Sequence, residues 1–151
     1  LVKFAVKQLF EKDEDLIKKG LCERCLVHRL AVYLEQSPLL DGYYVDCEFN
    51  KSFYEDIVNN KILSSIHGNY VDIVVHKRSN NFGENLLCFE VKRVSNGGRE
   101  KDRQNLKILT DGNRFGYTLG FYVILGKSFE TTRIEVYSSG DFSKEIRFNS
   151  N

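Results

Sequence analysis

The chain of 151 residues contains no methionine and a single proline. Without a methionine it carries no initiator, so it reads as a trimmed chain or a fragment. No apolar run approaches the roughly 18 residues that a membrane span needs, and no signal-peptide pattern opens the sequence. Cysteine is scarce: four residues at irregular spacing exclude a disulfide framework and suit an intracellular, cytoplasmic chain with reduced thiols. Net charge is nearly absent, since 22 Lys+Arg against 21 Asp+Glu leave +1, and this gives no overall pull toward a polyanion. Internal repeats, linkers and low-complexity stretches are missing. So are a local Ser/His/Asp signature and a phosphate-cradling glycine loop; Gly97-Gly98 is only a turn after a strand.

What is present is ordinary core material. At 42% hydrophobic and 13% aromatic the chain is too apolar for disorder and long enough to bury one core, so residues 1–151 read as a single domain. The near-zero charge hides an asymmetry. Residues 1–60 hold 8 Lys+Arg against 11 Asp+Glu, whereas residues 92–114 hold 7 against 3. The basic group is Lys92, Arg93, Arg99, Lys101, Arg103, Lys107 and Arg114. It reads either as a solvated helix and loop or as a local phosphate-contacting face.

Hydrophobic periodicity orders the elements. Residues 1–19 form a surface helix, Gly20 separates it from the next segment, and 21–36 form a second helix that Pro38 ends. After the Asp41-Gly42 turn, residues 43–49 alternate as a half-buried strand with Tyr43, Val45, Cys47 and Phe49 on one face. Residues 52–63 read as a short amphipathic helix or an irregular connection. NYVDIVVHK (69–77) and NLLCFEVKR (85–93) are strands flanking a polar loop, hence an antiparallel hairpin. Residues 102–111 fit a helix that Asp102 opens and Gly112 follows. Residues 115–126 contain a buried strand, and 131–139 form another. The fold class is α/β, with helices against a central mixed sheet.

Four side chains stand out. On the second helix, Leu26, Val27, Leu30 and Leu34 all fall within about 60° of Glu23 at ~100° per residue, so this carboxylate sits in the sheet-facing stripe. A buried carboxylate needs a cation, a metal or donors; a first-turn acid that suits the helix dipole is the plainer alternative. On the hairpin, Asp72 shares a face with Val74 and His76, opposite Val71, Ile73 and Val75. Glu90 and Lys92 share a face opposite Leu87, Phe89 and Val91. A hairpin centred near 81–82 pairs positions whose numbers sum to about 163, which sets Asp72 across from 90–92. Two carboxylates and an ammonium then converge on a side that the Glu23 helix could also cover. Such a group suits metal-assisted phosphodiester hydrolysis: the carboxylates hold a hard divalent cation and Lys92 orients the nucleophile or offsets developing charge. A cross-strand salt bridge of Lys92 with either acid is the structural alternative.

These residues resemble the PD-(D/E)XK nuclease superfamily, the restriction-endonuclease-like fold, over roughly residues 20–125 in the order helix, strand, hairpin, helix, strand. The resemblance implies a central mixed sheet flanked by helices and a Mg²⁺-dependent (or Mn²⁺-dependent) cut in nucleic acid, DNA first. It implies Asp72 and Glu90 as metal ligands with the Val91 carbonyl, Lys92 as the catalytic lysine, and Glu23 as a first-helix acid reaching the metal directly or through water. Gln104, in the helix after the lysine strand, resembles the glutamine that some branches place near the site. The proline of the motif name is Val71 here. In this setting the nucleic-acid contacts fall to Arg93, Arg99, Lys101, Arg103, Gln104 and Lys107. A homodimer or larger complex would follow from the habit of such nucleases of pairing two sites. The competing expectations are a non-catalytic nucleic-acid-binding or assembly module of the same fold, and an unrelated α/β interaction domain with salt bridges only. Cys22-Glu23-Arg24-Cys25 is a C-x-x-C, but a zinc site needs two further ligands, so these read as ordinary thiols. His28, His67 and His76 read as structural.

Overall fold

A computed structural model describes residues 1–20, 22–50, 70–79, 82–96 and 100–148. The expected segment at 52–63, His67, the Gly97-Gly98 turn and Arg99 lie outside them. Helix α1 (Val2–Lys18) buries Val2, Ala5, Val6, Leu9 and Phe10, the recurrence of three and four that a 3.6-residue turn puts on one face. Its geometry breaks at Asp13 (φ −127°, ψ 24°), whose carboxylate receives Arg29 Nε at 2.9 Å and the Tyr33 hydroxyl. Both donors come from α2 (Glu23–Glu35), so the break in one helix ties it to the next. The stripe expected on α2 is buried: Leu26, Val27, Leu30 and Leu34 are at most 4% exposed. A turn of 3-10 helix at Pro38–Leu40, capped by the Ser37 hydroxyl, then leads to the sheet.

Among the described residues the sheet has six strands in chain order: β1 (Tyr44–Asn50), β2 (Tyr70–His76), β3 (Asn85–Arg93), β4 (Leu119–Leu125), β5 (Arg133–Ser138) and β6 (Asp141–Arg147). All neighbours are antiparallel except β3 and β4, which run parallel. A parallel pair needs a crossover, and α3 (Glu100–Thr110) supplies it. The β2–β3 hairpin pairs Ile73 with Phe89 and Val74 with Cys88, one unit from the expected register, with a bulge between Val75 and His76. The exposed edge strand β6 has no counterpart among the sequence expectations.

The protein is thus an α/β protein, a mixed sheet with three helices packed against it, and the helices divide between its faces. Ile73, Val75, Leu87, Phe89, Val91, Phe121 and Val123 join the apolar residues of α1 and α2 in one core. Val74, Cys88, Tyr122, Ile124 and Tyr137 join Leu106 and Leu109 of α3 in the other. Gly120 permits the close seat of α3, since a Cβ there would lie 3.0 Å from Thr110 Cγ2 and 3.2 Å from Leu106 Cδ2. Two expectations about faces are corrected. Val71 and Phe49 belong to the α3 side, not with Ile73 and with Tyr43 and Val45. On β1 Glu48 has φ +47°, while the pairing keeps one register on either side of it, Cys47 with Ile73 and Phe49 with Val71. No helix among the described residues is long and apolar enough to cross a membrane.

Candidate functional site

Residues alternate across β3, so Glu90 and Lys92 point away from the Val91 core and toward α3. The expectation that the Glu23 helix covers this side is therefore corrected. α3 lies over it, because the β3–β4 crossover must occupy one face and α1 with α2 fill the other. Glu23 nevertheless reaches the group from the first turn of α2, at the end of β3. Lys92 Nζ donates to Glu23 Oε1 at 2.9 Å and lies 3.5 Å from Asp72 Oδ2. The second Glu23 oxygen accepts from the Arg93 backbone N–H (3.2 Å) and Asn96 Nδ2 (3.0 Å). Asp72 Oδ2 also accepts from the Val91 backbone N–H at 2.7 Å. Glu90, 4% exposed, receives Asn105 Nδ2 from α3 at 3.4 Å.

These contacts order the electrostatics. Burial opposes the charge on Lys92, but the Asp72 and Glu23 carboxylates outweigh it and raise the lysine above its ordinary range. Burial also works against Glu23, and the Lys92 hydrogen bond overcomes it, leaving that carboxyl below its usual value. Asp72 goes the other way: its burial exceeds what Lys92 and the Val91 N–H offset, so its carboxyl is raised. Glu90 is held well above its ordinary value, by burial first and then by the Asp72 and Asp102 carboxylates. One ammonium therefore faces several acids. For two of those acids, Asp72 and Glu90, the surroundings oppose the ionised form more than water does.

Of the four expected residues, Glu23, Lys92 and Asp72 are in contact, whereas Glu90 touches Asn105 and feels Asp72 and Lys92 electrostatically. Glu23 is engaged by Lys92, a backbone N–H and Asn96, which makes it an orienting partner of the lysine. Asp72 and Glu90 supply hard oxygen donors from neighbouring strands, with Val91 between Glu90 and Lys92. Among the described residues no three His, Cys, Asp or Glu side chains converge on one ion position. Asp72 and Glu90 are hard oxygen donors of the kind that Mg²⁺ takes, an ion that keeps much of its water where protein donors are few.

The helix residue at the site is Asn105, not Gln104, which is exposed. Asp102, Asn105, Leu106 and Leu109 are all buried, at offsets of three, four and seven. That stripe is the sequence signal for Asn105; α3 begins at Glu100, so Asp102 sits inside its first turn and does not open it.

Most of the basic segment has intramolecular partners. Arg93 donates to the Leu16 and Ile17 carbonyls at the end of α1 (3.0 and 3.3 Å). Lys107 pairs with Asp141 at 3.1 Å and Arg114 with Asp111 at 3.5 Å. Arg103 forms a two-pronged pair with Glu135, both bonds 2.8 Å, and lies over the Tyr122 ring. Glu135 also accepts from Tyr137 Oη. Lys101 remains exposed. Arg103→Ala is expected to cost about 3 kcal/mol, because it strands a buried carboxylate, and a shift of the urea midpoint measures it. Burial disfavours the Glu135 charge, yet Arg103 and Tyr137 hold its carboxyl below the usual range. The stabilisation that Arg103 provides is accordingly full above about pH 4.5 and lost as pH falls through the lowered value.

Arg93 also contributes to a cationic surface on the α1 side of the sheet, opposite the face that Lys92 takes. A cleft of about 410 Å³ at the ends of the parallel strands is lined by Lys18, Arg93, Ser95, Leu125 and Lys127, among others. These cations come from three separate segments, so charge counting along the chain finds Arg93 but not its grouping with Lys18 and Lys127. At α2's start, Cys22 Sγ and Cys25 Sγ lie 3.3 Å apart. That contact holds the Cys22 thiol below its ordinary value and pushes Cys25 up. No family model, curated protein or solved structure matches the chain.

Proposed function

We propose that this protein is a metal-dependent nuclease of the PD-(D/E)XK type, with the restriction-endonuclease-like fold, and that it hydrolyses phosphodiester bonds, in DNA first. The supporting observation is Lys92 held between Glu23 and Asp72 on the same strand as the buried, charge-frustrated Glu90. The element order helix, strand, hairpin, helix, strand agrees with it. Asp72 and Glu90 would hold Mg²⁺ or Mn²⁺ with the Val91 carbonyl. When bound, the ion would polarise a phosphoryl oxygen and acidify a water. Glu23 fixes the position of the Lys92 ammonium, and that ammonium offsets charge developing on the phosphate. Asn105 keeps the Glu90 carboxylate oriented. Arg93 and Lys127, with Lys18, which also pairs with Glu14 at 2.7 Å, give the cleft at the ends of β3 and β4 a positive sign, as a sugar-phosphate strand requires. Cutting both strands of a duplex would take two such sites, hence a homodimer or larger complex.

The internal neutralisation of the α3 cations favours a second reading, a non-catalytic nucleic-acid-binding or assembly module of the same fold. Incubation with linear and circular DNA, with Mg²⁺ or Mn²⁺ and with chelator, separates the two. The expected result is cation-dependent loss of both substrates, at least 10²-fold slower with Asp72→Asn. Binding without cleavage would support the module, and cleavage undiminished in Asp72→Asn would remove the site from the mechanism.

A further inference from the structure

We propose that Cys22 and Cys25 form a reversible dithiol–disulfide pair whose oxidation tethers the first turn of α2 and with it the Glu23 carboxylate. Cys22 is the N-cap of α2 and makes no side-chain capping bond. Its carbonyl accepts the Cys25 backbone N–H at 3.0 Å. One closed turn at a helix start sets the two Cα atoms about 5–6 Å apart, the separation that a disulfide takes. The sulfurs already lie 3.3 Å apart, so a bond of about 2.05 Å needs side-chain rotation and no new backbone path. Both thiols are exposed, so a small oxidant reaches them. Cys47 is exposed and Cys88 buried, and both are free cysteines; they provide internal comparisons.

The oxidant is a low-molecular-weight disulfide of the glutathione class. One protein thiol loses its proton and attacks a sulfur of that disulfide, forming a mixed disulfide and expelling one small thiolate. The second protein thiol, deprotonated in turn, attacks the protein-side sulfur, forms the Cys22–Cys25 bond and expels the other small thiolate. Two protein thiols are oxidised by two electrons, one small disulfide is reduced to two thiols, and the protons pass to those products.

The two cysteines bracket the residue that matters at the site. Glu23 lies between them in sequence and accepts from Lys92 Nζ and the Arg93 N–H. A cross-link over residues 22–25 restricts fraying of the turn that carries this carboxylate, whereas the dithiol leaves the turn held by its backbone bonds and the contacts of Glu23. The inference stands on the sulfur geometry and holds whether or not the neighbouring site cuts nucleic acid.

The test uses the whole protein in a Cys47→Ser background, equilibrated with reduced and oxidised glutathione at varied ratio and read by mass spectrometry after alkylation. An intramolecular bond with both cysteines protected and no retained glutathione is expected. Cys25→Ser and Cys22→Ser should each instead accumulate a mixed disulfide. In the oxidised protein, hydrogen exchange at the Arg93 amide should slow at least threefold relative to the reduced protein. A persistent mixed disulfide in the parent, or a bond that leaves Arg93 exchange unchanged, would overturn the proposal. Neither readout depends on nuclease activity, so failure here and failure of the nuclease reading remain distinct.

Discussion

Lys92→Met is expected to lower stability by about 3–5 kcal/mol at pH 7, the usual consequence of removing one partner from a buried charge pair. The lysine is 8% exposed, and its ammonium meets Glu23 at 2.9 Å and Asp72 at 3.5 Å. Methionine fills similar volume but leaves both acids without their cation. The loss is pH-dependent, and its sign follows from Glu23. Burial alone would raise that carboxyl, but Lys92 brings it below the ordinary value of 4.5. Its stabilisation is therefore full above about pH 4.5 and disappears as pH falls through the lowered value. Asp72 and Glu90, whose carboxyls are already raised, lose the lowering influence of Lys92 in the variant and neutralise more readily as the solution becomes acidic. Urea titrations at pH 7 and pH 4 should thus show a large gap between wild type and variant that narrows in acid. Cleavage, if the nuclease reading holds, should fall by 10²–10³, the scale of removing one charge-stabilising donor. A gap that is the same at both pH values would mean that Lys92 contributes packing and not charge.

The residues of this clamp were legible in the sequence for a physical reason. Asp72, Glu90 and Lys92 lie on strands whose alternation is strong, and the register was off by only one unit. Glu23 lies within an apolar helical stripe, where a carboxylate is conspicuous. The arrangement around them was less legible. Which helix covers which face depends on the parallel pairing of β3 with β4, a long-range choice that local periodicity does not encode. Arg103, Lys107 and Arg93 looked like a free cationic run because their partners, Glu135, Asp141 and the Leu16 and Ile17 carbonyls, are distant in sequence. Strand β6 escaped because an edge strand with mostly exposed residues carries little apolar alternation.

The same long-range packing explains why Asp72 and Glu90 differ although both face one lysine. Asp72 lies nearer the open end, where its side chain keeps 24% of its exposure and the Val91 N–H and Lys92 share its charge. Glu90 is enclosed beneath α3 with Asn105 and near Asp102. A protein optimised for stability alone would have an apolar residue there. Retaining a carboxylate is understandable if positive charge reaches it during function.

Glu90→Gln therefore should stabilise the metal-free protein, by on the order of 1 kcal/mol or more at pH 8. Burial, then Asp72 and Asp102, hold this carboxyl well above its ordinary 4.5. A raised acid binds more protons folded than unfolded, so wild-type stability declines as pH climbs from 4.5 toward the folded value. Below 4.5 both states are protonated and the penalty vanishes. The amide cannot ionise, yet its oxygen can still accept from Asn105, so the variant escapes the decline without losing that bond. The advantage of the variant should hence grow with pH and vanish in acid. Mg²⁺ should reverse the order. A ligand that binds only the folded state adds about 2.7 kcal/mol at 100-fold excess over its dissociation constant, and wild type should gain this while Glu90→Gln does not. Thermal melts at pH 8 with and without Mg²⁺ read both effects in one series. Equal stabilisation of the two proteins by Mg²⁺ would exclude Glu90 as a ligand, and a variant less stable than wild type at pH 8 would mean that its charge is already balanced without the ion.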